Sequence, residues 1–184
     1  LLNAASAVAH GYTGFDGIEK MVDGKANDMS GSMGSGDTLD KLDLLIDRCT
    51  DKDGMVDYIM MNSHSVRAFS TALRTIGALD TTMEVKLSSG GVMAVQSYRG
   101  VPIFRNDFVG SSTGAANEDN TVYVGTLDDG SFTHGITGLT ASKSAGVQVQ
   151  KIGAREDVDA EITRVKWYTG LANFSELGLV KGAI

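Results

Sequence analysis

The stretch VDYIMMNSHSVRAFSTALRTIG, residues 56–77, decides the fold class. Residues 56–61 are a short apolar run, VDYIMM, too short for a helix and best read as a buried strand. Asn62-Ser63 turns the chain, with Ser63 as the expected N-cap. Val66, Phe69, Leu73 and Ile76 then recur at helical spacing, while Arg67 and Arg74 fall off that face. Gly77 is placed to close the helix. A strand therefore runs directly into an amphipathic helix, whose Phe69 and Leu73 are expected in the core.

Towards the N-terminus the pattern is helical. Asp37 or Thr38 is the expected N-cap of a second helix, with Asp40 in the first turn, where the macrodipole favours an anion. Leu39, Leu42, Leu45, Ile46 and Cys49 form its apolar stripe, Arg48 lies near its end, and residues 51–54 (DKDG) stop it. Before it, NDMSGSMGSG (27–36) reads as a flexible loop by composition. Residues 15–22 read as one helical turn with Phe15, Ile18 and Val22 on one side. Residues 1–9 read as the end of a helix, broken by Gly11 and Gly14.

Towards the C-terminus the period changes to two. Strands are expected at 83–87 and 92–97, joined by a hairpin turn, SSGG. Residues 101–105 follow as a strand whose Pro102 places it at a sheet edge or a strand start. Residues 106–120 form a long polar loop, and 121–126 a strand closed by Asp128-Asp129-Gly130. Further strands are expected at 147–152, 158–172 and 177–184. In the longest, Thr163, Val165, Trp167 and Leu171 share one face and Arg164, Lys166 and Tyr168 the other. Two helices among some seven strands make the class α+β.

Composition agrees with such a core. The chain has 184 residues, 42% of them hydrophobic, enough for one domain or one with an appendage. Its 23 glycines exceed the usual share of about 7% and are spread along the chain, as many turns between short strands require. Sixteen basic residues against 23 acidic leave a net charge of −7, which opposes broad binding to phosphate backbones. No apolar run approaches the roughly 20 residues of a membrane span. A single cysteine, Cys49, forms no intrachain disulfide and is expected to be buried and inert. The chain opens Leu1-Leu2-Asn3 without methionine and is read as a piece of something longer.

No local motif calls for a reaction. Aligning Asp51-Lys52-Asp53-Gly54 to a calcium loop puts Cys49 and Met60 where carboxylates are needed, so a helix-ending turn is the better reading. His10, His64 and His134 have no partner at metal-ligand spacing. Gly31 to Gly36 has the glycines of a phosphate loop without its Lys-Ser/Thr. Glu118-Asp119 and Asp128-Asp129 sit in turns. No catalytic residue, metal ligand or cofactor is expected. An enzyme reading would need at least two of His64, His134, Asp128 and Ser131 to converge in a pocket.

The order of segments says more than any one motif. Phe15-Asp16-Gly17-Ile18, the helix after Asp37-Thr38-Leu39-Asp40, the strand–Asn–helix step at Tyr58 to Asn62 and Gly100-Val101-Pro102-Ile103 come in sequence. Val122-Tyr123-Val124-Gly125, the run Thr163 to Ala172 and the closing Leu179 to Ile184 follow. In that order they resemble the C-terminal part of tailed-bacteriophage major capsid proteins. The family's N-terminal arm, extended loop and most of its spine helix would precede this chain.

The resemblance implies an axial domain with part of a peripheral domain. Residues 1–36 would be the end of the spine helix and a connecting loop, and 37–146 the axial domain. Residues 147–172 would be the long strand shared with the peripheral domain, and 173–184 the terminal strand returning to the axial domain. It also implies a structural subunit forming pentamers and hexamers around double-stranded DNA, without sequence-specific binding. Such a subunit would be assembled in a bacterial cytoplasm into a virion capsid. Its partners would be copies of itself, with scaffold, portal and decoration proteins as further partners, and no membrane. Axial loop tips would meet at the symmetry axes, which makes Asn106, Asp107, Asn117, Glu118, Asp119, Asp128 and Asp129 candidate contact residues. Trp167 would be a packing residue. Encapsulins, which resemble these coat proteins and enclose cargo enzymes, are the alternative with the same fold.

Overall fold

The computed structural model describes residues 16–51, 54–78, 81–87, 89–109, 120–141, 146–154 and 160–184. The helices are α1 (Ile18–Val22), α2 (Thr38–Thr50) and α3 (Ser63–Thr75). The strands are β1 (Tyr58–Met61), β2 (Thr81–Lys86), β3 (Val92–Tyr98), β4 (Val101–Arg105) and β5 (Thr121–Gly125). They continue with β6 (Ile136–Thr140), β7 (Val147–Ala154), β8 (Glu161–Trp167), β9 (Thr169–Asn173) and β10 (Leu179–Ala183). A 3-10 turn, Glu176–Gly178, precedes β10. The class is α+β. The expected helix end at residues 1–9 and the side chain of Phe15 lie outside the described residues.

Six strands form a mixed sheet in the order β10-β5-β1-β4-β3-β2. β1 runs parallel to β4, through Ile59↔Ile103, and antiparallel to β5, through Ile59↔Val124. Alternation then sends side chains to two faces. Ile59, Met61, Val101, Ile103, Val122, Val124 and Val180 meet Leu42, Leu45, Ile46 and Cys49 of α2 and Phe69 and Leu73 of α3. Tyr58, Tyr123 and Leu179 face the other way, onto Val22, Val109 and Ile136. β5 is therefore buried along its whole length, with both faces covered and both edges paired.

The helix ends follow from their residues. The Asp37 carboxylate accepts from Thr38 N at 2.8 Å at the start of α2. At the end of α3, Gly77 takes φ +71°, with Gly77 N donating to Arg74 O and Ala78 N to Leu73 O. That is a Schellman closure, which glycine permits without strain. Ile76 sits at this turn, beyond the last helical residue, and is exposed instead of sharing the apolar face.

One expectation is corrected. The N-cap of α3 is Asn62, not Ser63: its Oδ1 accepts from Ser65 N at 2.8 Å while its Nδ2 donates to Val109 O at 3.3 Å. An amide can serve both ends of that turn; a serine hydroxyl is too short. Of the two places open to Pro102, the strand start holds: it is the second residue of β4, an interior strand. Proline fits there because β3 and β4 overlap through only Ser97↔Pro102 and Tyr98↔Val101. Residues 27–36 are not wholly free. Lys181 N donates to Asn27 O and Met29 N to Lys181 O, which covers the β10 edge, and Met33 is buried in the core.

The expected strand 158–172 breaks at Tyr168 into β8 and β9, which have different partners. β9 pairs with β6, a strand absent from the sequence reading, and β8 with β7. The two ribbons are successive stretches of one antiparallel arm, running out along β6 and β7 and back along β8 and β9.

Asn62→Ala removes the cap and the tie to Val109 together. It should cost about 1–3 kcal/mol in urea unfolding. Asn62→Asp keeps the cap acceptor and should recover part of that loss.

Candidate functional site

The candidate contact residues fall in two loops at opposite ends of the sheet. β1 and β4 run in parallel, so Met61 and Arg105 end together, and Asn106 N donates to Met61 O at 2.9 Å. β5 runs the other way, pairing Val122 with Met61 and Gly125 with Tyr58. The described residues 106–109 and 120 therefore lie at one end and the 126–135 loop at the other.

At the first end the described residues are tightly bonded. Arg105 grips Asp107 with both Nε and Nη2, at 3.0 and 2.8 Å. Asp107 Oδ1 also accepts from Ser63 N at 3.1 Å, at the start of α3. The Arg105 guanidinium, helped by Ser63, holds the Asp107 carboxyl below its ordinary range. Asn106 Oδ1 accepts from Phe108 N at 3.0 Å. His64 Nδ1 lies 2.6 Å from Asn120 Oδ1 at the same end. These groups position the loop base on the helix start. Asn117, Glu118 and Asp119 lie outside the described residues.

At the other end, Asp128 Oδ1 accepts from Phe132 N at 3.1 Å and Asp129 Oδ1 from Ser131 N at 2.9 Å. The Ser131 hydrogen bonds hold the Asp129 carboxyl below its ordinary range. Leu127 N donates to Asp57, and the bonds Asp128 N to Ile136 O and Ile136 N to Thr126 O close the loop base. Phe132, at φ +58°, stands edge-on to Phe174 with ring centroids 5.6 Å apart. The loop is an exposed, internally hydrogen-bonded knob with an aromatic side.

The residues of the enzyme reading are divided between the two ends. Ser131 Oγ meets Thr133 Oγ1 at 2.7 Å, and Thr133 Oγ1 meets His134 Nδ1 at 2.9 Å, on the exposed loop. His64 lies at the far end of the sheet. Asp51 of the calcium reading is 3.9 Å from Arg48, and Asp53 lies outside the described residues. Among the described residues no cluster of three or more His, Cys, Asp or Glu side chains is arranged to hold a metal. Burial pushes the Cys49 thiol up, and its sulfur sits near the Met55 and Leu177 carbonyls at 3.6 Å.

Phe69 and Leu73 are buried, and Phe69 stands edge-on to Tyr98 at 5.5 Å. Trp167 corrects the sequence reading. It lies on a strand, as expected, but is 63% exposed. Among the described residues β7 and β8 pair only with each other, and no described element covers that face. Val147, Val149 and Val165, on the same face, are 63%, 67% and 64% exposed. The signal was present in the sequence, because VQVQ and TRVKW alternate strictly and such alternation marks a face meant to be covered. An open depression of about 410 Å3 lies where this face meets Leu139, Tyr168 and Thr169.

No family model matches the sequence, and no curated protein matches it. Among solved structures, the chain is similar to one in the cryo-electron microscopy structure of the holo-SrpI encapsulin complex from Synechococcus elongatus PCC 7942. The TM-score is 0.72 at 18% identity, over 100% of this chain and 58% of that one. This chain thus spans less than two thirds of its neighbour's length. The likeness is one of fold. It places the α+β architecture with the capsid-like fold of an encapsulin, which is coarser than the tailed-phage resemblance read from the sequence.

Two substitutions test the loops. Asp107→Asn should lower stability at pH 7. The Asp107 carboxyl is depressed in the folded state, so its contribution is present above its unfolded pKa, about 4. It is lost as pH falls through the lower folded value. Variant and parent unfolding curves should therefore converge in acid. Gly135 has φ +86°, and a Cβ there would lie 2.5 Å from the Leu127 carbonyl carbon. Gly135→Ala should cost about 2–4 kcal/mol and shift the urea midpoint accordingly.

Proposed function

We propose that this chain is a structural subunit of a closed protein shell, made by repeating contacts between identical copies. The observation that carries this reading is the whole-chain fold similarity to an encapsulin at TM-score 0.72. The named residues fit such a role. Asn62, Asp107 and Asp128 hold loops in place through their side chains, and Gly135 through its backbone conformation, instead of converging on a substrate. A ring of subunits around a five- or sixfold axis needs heterologous contacts that close, and rigid loops at fixed positions serve that geometry.

The encapsulin form of this reading, a compartment enclosing protein cargo in a bacterial cytoplasm, is favoured because the neighbour is an encapsulin. The order of sequence segments supports the second form, a phage coat subunit enclosing DNA. In both, the subunit works by contact and is not itself an enzyme.

Negative-stain electron microscopy of the purified assembly is the test. Closed shells, or rings of five and six, are the expected result. Their contents then separate the two forms: cargo protein marks the encapsulin form and double-stranded DNA the coat form. Single small particles at every concentration would overturn the shell reading.

A further inference from the structure

β10 ends the six-stranded sheet, and one segment answers its outer edge group by group. Alternate residues of an antiparallel strand turn their main-chain groups towards the partner and away from it. Lys181 turns away from β5: its N–H donates to Asn27 O at 3.1 Å and its carbonyl accepts from Met29 N at 2.8 Å. Leu179 and Ala183 share that direction. Leu179 O accepts from Asn27 Nδ2 at 3.4 Å, and Ala183 N donates to Met33 Sδ at 3.1 Å. The same Asn27 amide also donates to Glu176 O. Asp28 and Lys181 bridge in the parallel sense, so residues 27–33 stand where a further strand would lie.

The hold on this edge is thin. Two main-chain bonds are joined by a side-chain amide and by a thioether, which is a weak acceptor. Asn27 and Met33 are buried and Met29 half-buried, while residues 30–32 and 34–36 are exposed. Lys25 and Ala26 add exposed contacts, each at 3.5 Å, to Glu176 and Arg48. Other bonds lie within the segment: Asp28 Oδ1 accepts from Ser30 N at 3.2 Å and Ser32 N donates to Met29 O at 2.9 Å. A segment bonded to itself keeps its shape when it moves. Its two flanks are anchored separately. Before it, α1 is seated by Val22 and by Glu19 and Asp23, 3.8 and 3.6 Å from Lys181 Nζ. After it, Leu42 and Leu45 of α2 are in the core. Gly24 at φ +70° and Gly34 at φ +59° lie between these anchors and the segment.

The sheet is shaped for Met33. A Cβ on residue 182 would lie 2.5 Å from Met33 Sδ and from Leu45 Cδ2, so Gly182 opens the seat that the methionine fills. A flexible, unbranched side chain can leave and re-enter such a seat.

We propose that residues 24–36 are a hinged strap that lifts as a unit while the sheet stays folded, uncovering the outer edge of β10. Lifting frees Leu179 O, both main-chain groups of Lys181 and Ala183 N, an edge that an extended segment can join. The strap acts within one copy of the chain, so it stands or falls apart from the shell reading.

Native-state amide exchange on the full chain tests this. Met29, Lys181 and Ala183 amides should open together, with protection at least about tenfold below that of Val180 and Gly182, which face β5. Their opening should depend little on urea, because it exposes little surface. Asn27→Ala combined with Met33→Ala removes both buried anchors. It should abolish protection at Lys181 and Ala183 and keep it at Val180 and Gly182, with the circular dichroism of the parent.

Three results would overturn the proposal. If Lys181 and Ala183 of the parent are as protected and as urea-sensitive as Val180 and Gly182, the segment opens only when the sheet does. If Met29 stays protected while Lys181 and Ala183 exchange, β10 frays and the strap does not lift. If the double variant loses protection at Val180 and Gly182 as well, the sheet depends on the segment and the strap is no separate unit.

Discussion

The structure depends on one constraint, that β5 must be covered on every side. Its edges are hydrogen-bonded to β1 and β10, and its side chains alternate into two separate apolar clusters. A strand with both faces dry cannot sit at a surface, so the chain has to supply a layer on each side. Helices α2 and α3 supply one. The other comes from α1, from Val109 at the foot of the long loop and from Ile136 at the start of the arm. The loops at the two ends of the sheet are thus held from below by core residues, and their hydrogen bonds fix what is left.

The body and the arm obey opposite rules. The body hides its apolar groups and ties its loops, as Asn62, Asp107 and the Phe132–Phe174 pair illustrate. Among the described residues the arm exposes an apolar face on a ribbon whose outer edges carry no strand. For a protein acting alone this would be an aggregation hazard. In the described loops the polar groups are engaged with one another and with nearby backbone, as in Arg105–Asp107 and Asp128–Phe132.

Much of the body was legible in the sequence because its signals are local. β4 was bounded correctly at 101–105, and the stripe Leu42, Leu45, Ile46 and Cys49 marked the buried face of α2. The errors occurred where a distant partner decided the outcome. Asn62 displaced Ser63 as the cap because Val109, 47 residues away, also needed a donor. β6 was missed because ITGLT is short and contains glycine, and it is a strand only because β9 lies beside it.

The sequence by itself determined the element types, the α+β class and the two-faced character of the arm. Periodicity and capping are properties of neighbouring residues, and they act before any tertiary contact forms. Only the tertiary structure decided that Asn106 and Asp107 lie at the opposite end of the sheet from Asp128 and Asp129, because strand direction depends on pairing order, which no local pattern encodes. It also decided that Trp167 faces solvent. Alternation shows that a face is apolar, but whether that face is buried depends on what packs against it, and in this chain the described residues leave it uncovered.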